Sequence, residues 1–78
     1  MKDQQLKMLE FIQSYSHRVG WPPTIREIMS HLDFKSTSSI WYWLETLELD
    51  GYITRERGIA RGISVTERGK SIIRKKGA

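Results

Sequence analysis

The chain has 78 residues, a formal net charge of +4 and no cysteine, with 38% hydrophobic and 28% charged residues. That length and balance suit one compact domain with a modest core, and they exclude two domains or wholesale disorder. The missing cysteines exclude a disulfide framework and a thiolate metal centre. Lys2, Asp3 and Lys7 interrupt the first residues, which lack the apolar run of a secretory signal or membrane span. A cytoplasmic, nucleoid-associated protein with no membrane partner is expected.

The charge is unevenly placed. Up to Asp50 acids outnumber bases and the net is −2, whereas from Gly51 onward it is +6. The basic half holds Arg55, Arg57, Arg61, Arg68, Lys70, Arg74, Lys75 and Lys76 against Glu56 and Glu67. Such segregation suits a binder of polyanions, although a solvated basic tail gives the same balance.

From Asp3 to Arg18, Leu6, Leu9, Ile12 and Val19 recur at helical spacing, with Met8, Phe11 and Tyr15 widening the stripe. Gly20 ends this helix, and Pro22-Pro23 imposes an extended connection. Thr24-Ile25-Arg26-Glu27 is a capping box: hydroxyl and carboxylate exchange bonds with each other's amides. It opens a short helix whose buried side is Ile25, Ile28, Met29 and Leu32. Asp33-Phe34-Lys35 is a tight turn with Phe34 as its plug. Ser36 caps a third helix reaching Asp50, where Ile40, Leu44 and Leu47 share one face, Trp43 flanks them and Gly51 stops it. Two helices joined by so short a turn form a helix-turn-helix.

After Gly51 the period changes to that of strands. Tyr52–Glu56 and Gly62–Val65 read as a hairpin around Arg57–Arg61, with Ile53, Ile63 and Val65 inward. Thr66 can start a further helix, whose apolar content is Ile72 and Ile73 and whose end is expected to fray. The expected fold is mainly α with a small β-hairpin: a winged helix-turn-helix of three helices and a two-stranded antiparallel wing. The domain is assigned to residues 1–65, and residues 66–78 to a basic C-terminal helix or tail.

Several of these segments resemble the N-terminal DNA-binding domain of the LexA repressor family. They are Gly20-Trp21-Pro22-Pro23-Thr24-Ile25-Arg26-Glu27-Ile28, Ser36-Thr37-Ser38-Ser39-Ile40, the Leu44 and Leu47 pair, Gly51-Tyr52-Ile53 and Arg61-Gly62-Ile63. The similarity covers residues 4–65. It implies a transcriptional repressor whose third helix enters the major groove while the wing reaches flanking backbone. Full LexA proteins also carry a self-cleaving domain with a serine nucleophile and a lysine base, and nothing after Val65 resembles it. The chain is then either a free-standing bacterial or phage relative or a fragment of something longer.

The expected DNA contacts follow. Ser36, Thr37, Ser38 and Ser39 crowd the start of the third helix. Capping needs one of them, and small hydroxyls let a helix end approach phosphates and base edges. Ser38 and Tyr42 project opposite the buried face, with Trp41 beside them. The resemblance places Ser36, Ser38, Ser39, Trp41 and Tyr42 toward the groove, where smaller or polar residues are usual at the last two positions. Trp43 is expected to be structural. Leu49 either shares the exposed face or is buried against the hairpin by a bend near Gly51. Arg55, Arg57 and Arg61 around Gly58 suit phosphate or minor-groove contacts, or else guard a strand edge. Arg26 and Lys35 suit backbone clamping, and Lys75 and Lys76 a diffuse tail.

No catalytic constellation is visible. His17 and His31 lack metal-pair spacing and are expected at the surface. No phosphate loop or nucleophile elbow occurs, so neither a cofactor nor a metal is expected. Two functions remain open: a sequence-specific regulator binding double-stranded DNA, as a homodimer or paired monomers, or an adaptor binding another protein through Trp41, Tyr42 and Leu49.

Overall fold

A computed structural model describes residues 3–32, 37–59 and 61–77 of the chain. Its elements run α1 (Asp3–Val19), α2 (Ile25–Leu32), α3 (Thr37–Leu49), β1 (Ile53–Arg55), β2 (Ile63–Val65) and α4 (Glu67–Gly77). The strands pair antiparallel, with Ile53 opposite Val65 and Arg55 opposite Ile63. β1 is one residue shorter at each end than the alternating pattern suggests, and β2 ends at Val65 as expected but starts one residue later, at Ile63. The Asp33-Phe34-Lys35 turn and its Phe34 plug, and the Ser36 cap, lie outside the described residues. No helix among the described residues is long and apolar enough to cross a membrane.

Every element except α4 contributes a buried apolar side chain to one core. Met8, Leu9 and Ile12 come from α1, Ile28 from α2, and Ile40, Leu44 and Leu47 from α3, while Ile53 and Ile63 enter from the strands. The axis of α1's buried face differs from the sequence reading. It centres on Met8, Leu9 and Ile12, whereas Leu6 and Val19 are only half-buried. The reason is enclosure, since α1 packs against α2, α3, β2 and α4 together. Gln5 is buried on the same face, and its Nε2 donates to Thr46 Oγ1 at 2.8 Å. The Thr46 hydroxyl in turn donates to the Trp43 carbonyl at 2.7 Å, as burial of a polar group demands.

Helix ends follow local chemistry. Gly20, at φ +99°, donates its N–H to the Ser16 carbonyl at 2.9 Å and closes α1. At the end of α3, Tyr52 N–H donates to the Leu47 carbonyl and Gly51 N–H to that of Glu48, at 2.9 and 3.0 Å, with Gly51 at φ +80°. This is a Schellman turn. It ends α3 at Leu49 and reverses the chain into β1, whose Ile53 is buried in the core. Leu49 therefore stays 84% exposed instead of bending in against the hairpin.

The Thr66 hydroxyl donates to the Gly51 carbonyl at 2.6 Å and accepts the Gly69 N–H at 3.1 Å, so it caps α4 while closing the end of α3. Arg68 Nε donates to the Asp50 carbonyl at 2.9 Å. Ile72 and Ile73 pack against the core, and α4 is helical to Gly77 where fraying was expected. Docking on α1 and β2 supplies the stability that its sparse apolar content does not.

Candidate nucleic-acid interface

The capping box forms as its residue types require. Thr24 N–H donates to Glu27 Oε1 at 2.8 Å, and Glu27 N–H donates to Thr24 Oγ1 at 3.2 Å. This fixes the start of α2, which packs against both α1 and α3. With Ile40, Leu44 and Leu47 wholly buried, the opposite side of α3 faces solvent. Ser38 and Ser39 are exposed there, Trp41 is 46% exposed and Tyr42 56% exposed. Trp43 packs against the core, with its ring edge-on to Tyr42 at 5.1 Å. Arg26 is exposed in the first turn of α2. Of the other expected contacts, Lys35, Ser36 and the side chain of Thr37 lie outside the described residues, as does that of Lys76. His17 is exposed, and His31, also exposed, stacks on Phe11 at 4.1 Å.

The hairpin arginines do not act alike. Only Arg57 stands at the tip, exposed and without an ion-pair partner among the described residues. Arg55 occupies the inner face of the sheet, two residues from Ile53, where the period of a strand must put it. Its side chain is 8% exposed and paired with Glu48 Oε1 at 3.0 Å. The guanidinium also lies 5.3 Å from the Trp41 ring centroid. Arg61 turns away from the tip. One of its nitrogens donates to Glu27 Oε1 at 3.0 Å and to the Pro22 carbonyl at 2.9 Å, and the group lies 5.9 Å from the Trp21 ring. The nearness of all three arginines to Gly58 in the sequence hides this division. Strand parity could have revealed Arg55, but no local signal links Arg61 to Glu27.

Between α3 and the hairpin lies a cleft of about 350 Å³ with a mostly apolar lining. Ile25 and Ile63 line it together with Trp41, and Arg57 and Ile59 come from the wing. α3 and the wing tip thus border one continuous concave surface.

Glu27 is the most heavily bonded acid at this site. The Tyr15 hydroxyl donates to its Oε2 at 2.6 Å, while Thr24 and Arg61 share Oε1. The Tyr15 bond above all, then the Thr24 amide and, more weakly, Arg61, hold the carboxyl down from its ordinary 4.5 to about 2, against an opposing effect of desolvation. Because the folded value is depressed, the stabilisation is complete above 4.5 and is lost as pH falls toward about 2. Glu27→Gln keeps a residue suited to a capping box but does not titrate. The gap in melting temperature between the native chain and this variant should narrow as pH falls from 4.5 to about 2. Thermal melts followed by circular dichroism measure it, and a gap independent of pH would contradict the assignment.

Three helices with an antiparallel hairpin after the third define a winged helix-turn-helix domain. The family model of the LexA DNA binding domain matches residues 1–62, and the chain belongs to that family. It is 42% identical over 66 residues to LexA repressor 2 of Geobacter sulfurreducens, a match covering 85% of this chain and 32% of the relative. Against the LexA repressor of Lactobacillus johnsonii, identity is 39% over 71 residues, covering 91% of this chain and 34% of the relative. For that of Myxococcus xanthus it is 34% over 73 residues, covering 94% and 33%. The chain spans about a third of the length of the curated relatives it matches.

Proposed function

We propose that the chain binds double-stranded DNA as the operator-reading part of a transcriptional repressor, two copies occupying paired half-sites. The observation that carries this is the polarity of α3, in a chain whose family is that of a DNA-binding domain. One face of the helix is sealed by Ile40, Leu44 and Leu47, and the other presents Ser38, Ser39, Trp41 and Tyr42. Ser36, Thr37, Ser38 and Ser39 approach the groove floor, and Trp41 and Tyr42 contact base edges, sugar or a thymine methyl. Arg26, Lys35 and Arg57 grip the phosphate backbone. The acids Glu45, Glu48 and Asp50 gather at the far end of α3, so its serine-rich end is the one that enters. Arg55 and Arg61 act from behind the surface by holding the wing.

Selection of bound duplexes from a random pool, followed by affinity measurements at two salt concentrations, tests the reading. Arg57→Ala should weaken all duplexes alike and lower the salt slope by about one, the signature of a lost phosphate contact. Tyr42→Ala should instead redistribute preference among sequences. A pool without enrichment, bound weakly and without salt dependence, would overturn the assignment.

A further inference from the structure

We propose that Glu27 is a positioning residue for DNA binding: by holding Arg61 it straps the wing to the helix-turn-helix at the angle from which Arg57 meets the backbone. This rests on the DNA-binding reading above. The wing needs such a strap. Its strands have three residues each, and a two-stranded hairpin is marginal on its own. Two charged ties fasten it, one on either helix of the motif. On its first strand Arg55 is tied to Glu48 of α3, and beyond the tip Arg61 is tied to Glu27 of α2, 34 residues away in sequence. The second tie is anchored twice more, by the Pro22 carbonyl on Arg61 and by Tyr15 on Glu27.

A half-exposed ion pair between two mobile side chains achieves little. Here the carboxylate is already immobilised by the cap and by Tyr15, so Arg61 meets a rigid acceptor. Charge-assisted bonds of this kind are roughly twice as strong as neutral ones. Glu27 therefore links three elements: the end of α1, the start of α2 and the wing. None of its bonds requires contact with DNA, and as an anion beside a polyanion it would by charge alone oppose binding.

That opposition gives the test a sign. Glu27→Gln keeps the capping geometry and raises the net charge above +4, so electrostatics alone predicts tighter binding. Loss of the strap predicts the reverse. On a duplex taken from the selection, the variant should bind about 3- to 10-fold more weakly, a coupling typical of groups in one ion-pair network. In an Arg57→Ala background the same substitution should cost less than about 2-fold, since the contact that the strap serves is already gone. Tyr15→Phe, which leaves every charge in place, should fall between native and Glu27→Gln.

Unchanged or tighter binding by Glu27→Gln, or a loss undiminished in the Arg57→Ala background, would overturn the proposal. If the native chain selects no duplex, it is the DNA-binding reading that fails. Amide exchange then judges the strap alone. Faster exchange at Glu56 and Gly62 in Glu27→Gln or Tyr15→Phe upholds it, and unchanged exchange in both refutes it.

Discussion

Leu44→Ala is expected to lower the melting temperature by about 10–30 °C and to abolish duplex binding where the variant is unfolded. Leu44 has no exposed surface and stands between Ile40 and Leu47 on the buried face of α3. Truncating a core leucine costs about 2–5 kcal/mol, part lost transfer energy and part cavity. At about 0.05–0.15 kcal/mol per residue, a chain of this size has about 4–12 kcal/mol in all. Each kcal/mol corresponds to about 4–8 °C for so small a domain. Urea denaturation with an unchanged slope would identify the loss as one of stability. A shift below about 5 °C, less than a lost core leucine requires, would mean that α3 is not anchored as described.

Gly69→Ala should also destabilise, by about 1–3 kcal/mol, although an exposed helix would gain about 1 kcal/mol from the same change. A Cβ at this position would collide with the Tyr52 carbonyl oxygen and stand 2.7 Å from Val65 Cγ1. Neither can yield cheaply. The Tyr52 carbonyl accepts the Thr66 N–H at 3.0 Å, and Val65 belongs to the paired strand. The glycine thus serves close approach of α4 to the chain leaving α3. Chemical denaturation decides the sign, and a stabilised variant would show that α4 is not docked there.

Elements whose causes lie within a few residues were legible in the sequence. The Thr24–Glu27 box, the glycines that end α1 and α3 and the Ile40–Leu44–Leu47 face all depend on spacings of three or four, or on a single backbone angle. The winged helix-turn-helix followed from their order. What spacing cannot reveal is how many neighbours a helix acquires, which is why α1's buried face centres on Met8 where Leu6 and Val19 seemed as suitable. Long-range polar pairing was equally hidden. The sequence shows three arginines around one glycine, but only the fold sends Arg61 to Glu27 and Arg55 to Glu48. The candidate site was legible as a helix and a wing, though not as a division of labour within the wing.

The mouth of the hairpin loop is closed independently of its tip. Glu56 N–H donates to the Gly62 carbonyl at 2.9 Å, and below it Thr66 and Tyr52 join the two chain directions. A Cβ at Gly62 would stand 2.6 Å from the Glu56 carbonyl oxygen, so glycine there permits the close approach of the two chain segments just beyond the paired strands. With its ends held this way, the stretch between can change length at small cost, since each doubling of a flexible loop adds only about 0.6 kcal/mol. Insertions around Gly58 would alter how far the wing extends along a duplex while leaving the core and α3 undisturbed. In evolutionary terms the tip is an adjustable reach on a fixed mount, free to diversify between chains that share one scaffold.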